Sequence, residues 1–237
     1  MSGIVTQIYA ATSVADALKM VDLGVEQVGF VAGDYGEVHG ELTFAQAREI
    51  VDALRGRAVS SALTMSTNIK EIARMVEAVQ PDIVHISSDT EAVSMPAIRQ
   101  LRTLLSRNVL LMKAIQVDGP ESIKAAQGFA ALVELLLLDT KVAGMPGVGA
   151  TGLTHDWSIS REIVRRIGPR AKVILAGGLV AGNMAEAIRT VRPWGVDSNT
   201  GTNLAGDPVA KDWAKVAAFV AAAKGLSNNQ QRMTNNK

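Results

Sequence analysis

Short apolar runs alternate with amphipathic segments along the whole 237-residue chain. The runs predict strands over Ile4–Tyr9, Gln27–Val31, Ala58–Leu63, Ile83–Ile86, Val109–Ile115, Leu132–Leu138, Val173–Ala176 and Trp194–Asp197. They are short, β-branched or leucine-rich, and do not alternate, which is how strands buried on both faces of a parallel sheet read. The segments between them predict helices over Ser13–Leu23, Thr43–Leu54, Asn68–Ala78, Glu91–Leu105, Pro120–Gln127, Ser158–Ile167, Ala181–Val191 and Pro208–Lys224. Ser13, Thr43, Asn68 and Ser158 stand where N-caps belong, and Pro120 suits a first helical position.

Eight strand–helix units in one chain of this length predict an α/β protein of the (β/α)8 barrel type, a single domain over residues 1–225. A doubly wound open sheet is the alternative, because periodicity does not show closure. Residues 226–237, rich in Asn and Gln, read as a polar, disordered C-terminal tail.

Charge and composition narrow the functional classes. The 24 basic and 23 acidic residues leave a net charge of +1 and are interspersed, which gives no reason to expect nucleic acid. No cysteine is present, so disulfides, thiolate metal sites and cysteine nucleophiles are excluded. The N-terminus lacks the pattern of a signal peptide, and no stretch approaches the roughly 18 apolar residues of a membrane span. The expectation is a cytoplasmic protein without membrane or cofactor.

In a barrel the active site lies in the loops at the C-terminal ends of the strands. The loops after the sixth, seventh and eighth predicted strands are rich in glycine and small polar residues, which let backbone N–H groups approach an anion. Gly177, Gly178, Asn199, Thr200 and Gly201 are thus candidates for a phosphate site, with tight turns as the bland alternative. Asp139 ends the apolar run Leu135–Leu138 and is placed at the barrel mouth, either as an acid or base with a pKa moved by burial or as a solvated turn residue.

At these loops the sequence resembles phosphoribosylanthranilate isomerase, the barrel enzyme of tryptophan synthesis. The resemblance is carried by GVEQVGFV, PDIV, LMKAI, LLLDT, GATGLTHDW, ILAGGLVAGN and VDSNTG, in order from about Ile4 to Val220, with Lys211–Asp212 beyond the last of them. The family converts an aminoaldose phosphate to an aminoketose, using a cysteine base after the first strand and an aspartate acid after the sixth. The resemblance implies the acid at Asp139, the phosphate at the loops already named, and a possible homodimer. Asn199 and Thr200 stand where the family usually has two serines.

The first half of the chain departs from the family. Where the first strand usually reads Lys-Ile-Cys-Gly, this chain has Gln7-Ile8-Tyr9-Ala10, and a tyrosine with a pKa near 10 is a poor base at pH 7. The family's carboxylate-binding arginine falls at Gly40, and Gln-Leu-His-Gly becomes His85-Ile86-Ser87-Ser88. These departures argue for a substrate other than phosphoribosylanthranilate. The expectation is a proton-transferring isomerase or epimerase on a small sugar-like phosphate, with Asp139, His85 and Tyr9 catalytic and Lys113 helping to bind substrate.

The three histidines, His39, His85 and His155, all fall on the catalytic side of the predicted barrel. They allow a replacement base, best at His85 on a strand end, or a divalent metal site with Asp34 or Asp139. Bland roles are an exposed His39 and a His155 packed beside Trp157. Two other functions stay open: a carbon–carbon lyase or aldolase working through Lys113 or a metal, and a non-catalytic phosphate-binding copy.

Overall fold

A computed structural model describes residues 3–33, 36, 38–140 and 152–234, with side chains through Gly225. Its strands are β1 (Val5–Ile8), β2 (Gln27–Ala32), β3 (Glu41–Leu42), β4 (Val59–Thr64), β5 (Ile83–Ile86), β6 (Leu110–Gln116), β7 (Leu135–Asp139), β8 (Lys172–Leu175) and β9 (Gly195–Ser198). The helices are α1 (Val14–Asp22), α2 (Phe44–Leu54), α3 (Ile69–Val79), α4 (Met95–Leu104), α5 (Glu121–Phe129), α6 (Trp157–Ile167), α7 (Met184–Val191) and α8 (Trp213–Thr234). All strand pairings are parallel, and β1 pairs with both β9 and β2, so the sheet closes. The protein is a single (β/α)8 barrel, and the open-sheet alternative falls.

The sequence pattern did not reveal β3. It is a two-residue strand paired with the end of β2, Val31 opposite Glu41 and Ala32 opposite Leu42, and lies outside the eight-stranded ring. A pair of residues is too short to show periodicity.

The two faces of each strand build two cores. The outward residues, such as Phe30, Val84, Ile86, Leu111, Leu136 and Leu138, pack under the helices. The inward ones, Tyr9, Ile83, Met112, Leu135, Leu137, Ile174 and Ala176, fill the barrel. All five residues of β7 are buried, which explains why that run is apolar without alternation.

Helix starts follow local hydrogen bonding. Ser13 accepts from Asp16 N, Thr43 forms a capping box with Gln46, and Asn68 accepts from Lys70 N. Ser158 is not a cap. Asp156 caps α6 by accepting from Ser158 N at 2.8 Å, because its carboxylate reaches an orphan amide of the first turn. The boundary expected at residue 225 falls inside α8, which continues to Thr234. Extending an established helix costs far less than starting one, so a polar run without proline can follow its neighbour.

Candidate active site

Three loops at the C-terminal end of the barrel lock together through glycines. A Cβ on Gly178 (φ +59°), after β8, would stand 2.8 Å from Leu153 C and 2.9 Å from Gly152 O in the loop after β7. A Cβ on Gly201, after β9, would stand 2.8 Å from Ser198 Oγ and closer still to Leu179 O. Side chains at either place would push these backbones apart. The resulting cavity is lined by Asp139, Gly152, Gly177, Gly178, Leu179 and the stretch from Asp197 to Gly201. The five residues expected to hold phosphate thus come together beside Asp139.

Asp139 is the last residue of β7 and is 7% exposed. Burial pushes its pKa up to about 7, against the opposing effect of hydrogen bonds from Thr140 N and Oγ1 to Oδ1. An acid of this kind carries a proton into the neutral range and releases it readily.

A second carboxylate lines the same cavity. Asp197, on β9, accepts a 3.0 Å hydrogen bond at Oδ1 from Gln7 Nε2, and the two are register partners where β1 meets β9. Burial pushes its pKa up to about 8; Asp139 adds to the rise, while the Gln7 hydrogen bond and Lys211 oppose it. Lys211, itself buried, donates to Asn199 O at 3.1 Å and Asn199 Oδ1 at 3.0 Å, and also to Asn203 Oδ1. It thereby braces the loop after β9 from behind. The only hint of Lys211 in the sequence is its place just beyond the glycine loop.

Tyr9 and His85 meet each other but do not line this cavity. Tyr9 Oη lies 2.7 Å from both Ser61 Oγ and His85 Nδ1, inside the barrel. Burial raises the tyrosine pKa well above its ordinary value and lowers that of His85 to about 3. Both are neutral near pH 7, so Tyr9 holds its proton where a base would be free to take one. His85 Nε2 is buried and has no hydrogen-bond partner among the described residues.

Lys113 is also placed elsewhere than expected. Its neighbours across the sheet are Ile86 and Leu136, both on the outward face, so it points away from the lumen. Its ammonium donates to Ile86 O (3.3 Å), Ala114 O (3.1 Å) and Ser88 O. It ties down the β5–α4 connection and is not directed at the phosphate loops, because strand alternation gives Met112 and Ala114 the inward face.

The remaining histidines do not gather. His39 is exposed, and His155 holds Ser160 Oγ with Nε2 at 2.6 Å. Its Nδ1 and Asp139 Oδ1 would stand 3.1 and 3.2 Å from a Cβ on Gly177. Among the described residues no three His, Asp or Glu are placed to hold a metal ion. Asp34 lies outside the described residues. Gly40 has φ +79°, and a Cβ there would stand 3.2 Å from Val209 Cγ1, so this loop is shaped without a side chain at the arginine position.

A closed parallel barrel with a buried, protonatable aspartate beside glycine loops suited to an anion has the architecture of a barrel enzyme. The family model for N-(5′-phosphoribosyl)anthranilate (PRA) isomerase matches residues 6–222, and the chain belongs to that family. N-(5′-phosphoribosyl)anthranilate isomerase 2 of Methanosarcina mazei is 34% identical over 89% of this chain and 90% of its own. The Azorhizobium caulinodans isomerase is 35% identical, covering 85% of this chain and 83% of its own. Among solved structures, phosphoribosyl anthranilate isomerase from Thermotoga maritima superposes with a TM-score of 0.72 at 26% identity, covering 94% and 99%.

These relatives overturn the expectation of a substrate other than phosphoribosylanthranilate. They carry that activity in their names and align along nearly the entire chain. The departures at Tyr9 and Gly40 do not outweigh a family match that runs over residues 6–222. The aldolase and non-catalytic readings fall with it: the family is one of isomerases, and Lys113 is fully buried outside the lumen. The family acts on a phosphorylated substrate. No helix among the described residues is long and apolar enough to cross a membrane.

Proposed function

We propose that this protein isomerises N-(5′-phosphoribosyl)anthranilate to the corresponding aminoketose, in the cytoplasm and as a homodimer. The observation that carries the reading is Asp139, buried at the end of β7 and lining one cavity with Gly177, Gly178, Asn199, Thr200 and Gly201. The glycine loops take the phosphate through backbone amides, which fixes the sugar in the cavity. The Asp139 carboxyl, protonated in the neutral range, donates to the sugar ring oxygen and opens the ring. The nitrogen lone pair then forms an iminium with the sugar's first carbon. Tyr9 and His85 serve as neutral packing at the barrel interior.

The dimer rests on the Thermotoga maritima structure, whose protein is described as dimeric, and light scattering on the purified protein checks it. The reaction is tested by adding purified protein to phosphoribosylanthranilate and following product by chromatography. Turnover is expected, with Asp139→Asn lowering kcat by about 10²–10⁴-fold. No turnover by the unaltered protein overturns the reading.

A further inference from the structure

The isomerisation needs a base as well as an acid, and Tyr9 is a buried neutral phenol where the family's cysteine would stand. Asp197 and Asp139 are the two ionisable side chains among the described residues lining the cavity. Asp197 is held by Gln7 Nε2 at 3.0 Å, while Gln7 Oε1 is buried with no hydrogen-bond partner among the described residues. A neutral amide aims the carboxylate without pairing its charge. A lysine in the same place would form an ion pair and quench its basicity.

We propose that Asp197 is the general base of this enzyme, taking the proton from the second sugar carbon while Asp139 acts as the acid. The assignment rests on the isomerase reading above. The Asp139 proton goes to the ring oxygen, the bond from that oxygen to the first carbon breaks, and its electron pair stays on the oxygen. The nitrogen lone pair makes the carbon–nitrogen double bond. The Asp197 carboxylate then removes the proton from the second carbon; that bonding pair forms the carbon–carbon double bond, and the iminium π pair returns to nitrogen. The enaminol takes a proton at the first carbon from Asp197 and gives its hydroxyl proton to Asp139. Both carboxyls end as they began, and no oxidant or reductant is involved.

The surroundings suit this division. Tyr9 from β1, Asp139 from β7 and Lys211 ahead of α8 are the titratable groups that act on Asp197. Lys211 is engaged with Asn199 and Asn203, so its charge is shared with the loop. Two like-charged carboxyls in one buried cavity resist ionising together, so near neutrality the pair shares one proton; turnover runs through the microstate with that proton on Asp139, the less populated one because Asp197 has the higher pKa.

The test uses the full chain, phosphoribosylanthranilate as substrate and inorganic phosphate as binding probe. Asp197→Asn is expected to lower kcat by about 10²–10⁴-fold while phosphate still raises its melting temperature. Gln7→Lys is expected to move the rising limb of the kcat/KM–pH profile down by about 1–3 pH units, by stabilising the Asp197 anion. A role confined to holding the loop would not move that limb. If Asp197→Asn fails to fold, the Gln7→Lys profile decides alone. Near-normal kcat in folded Asp197→Asn, or an unmoved limb in Gln7→Lys, overturns the assignment while leaving the isomerase reading intact. An inert unaltered protein overturns both.

Discussion

The ring of Tyr9 lies against Gly29 of β2, so close that a Cβ on Gly29 would stand 2.5 Å from Tyr9 Cε1. The strand thus leaves room for an aromatic ring where the family usually needs space only for a thiol. Gly29→Ala is therefore expected to destabilise the protein by about 1–3 kcal/mol or more, through overpacking. Adding Tyr9→Cys should recover most of the loss, since the ring is then gone. A double-mutant cycle by urea unfolding measures the coupling, and strictly additive losses would refute the packing argument.

The Tyr9 hydroxyl bridges Ser61 and His85 at 2.7 Å each. Tyr9→Phe leaves both partners buried without it, at a cost of about 1–3 kcal/mol. Because the hydroxyl is no part of the proton transfer, kcat should change less than tenfold. A 10²-fold fall in kcat would return Tyr9 to the catalytic machinery.

The phosphate grip depends on backbones that touch. Gly178→Ala and Gly201→Ala each introduce a Cβ that meets backbone within 3.0 Å. Both variants are expected to lose the rise in melting temperature that inorganic phosphate gives the unaltered protein. Gly182→Ala, where a Cβ meets nothing within 4 Å, should keep it. Equal phosphate shifts in all three would remove the glycine loops from the anion site.

Asp139 and Asp197 have folded-state pKa values of about 7 and about 8, above the ordinary 3.8. A raised folded value favours the protonated native state. The stabilisation is fully present below the unfolded pKa and is lost as pH rises through about 7 and then 8. The melting temperature should fall between pH 5 and pH 9. Asp139→Asn removes one of the two groups, so its melting temperature should fall less steeply. Parallel curves for the two proteins would contradict the shift at Asp139.

Lys113 faces the helix layer and donates to three carbonyls. Lys113→Met should cost about 1–3 kcal/mol of stability by removing those three hydrogen bonds, and leave KM for phosphoribosylanthranilate unchanged within about twofold. Borohydride in the presence of substrate should trap no adduct, read by mass spectrometry. A rise in KM would place the lysine at the substrate after all.

The sequence by itself determined the eight strands, their parallel character and the placing of Asp139 at a strand end, because burial on both faces writes largely apolar runs without alternation into β5, β6 and β7. It also marked the three glycine loops, since close backbone approach demands residues without a Cβ. Facing direction within a strand was not legible for Lys113: an apolar run buried on both sides has no alternation to show which side is which. The pairing of Gln7 with Asp197 was equally hidden, for the two are 190 residues apart and meet only because the sheet closes β1 onto β9. Tertiary structure alone decided that the cysteine position became interior packing.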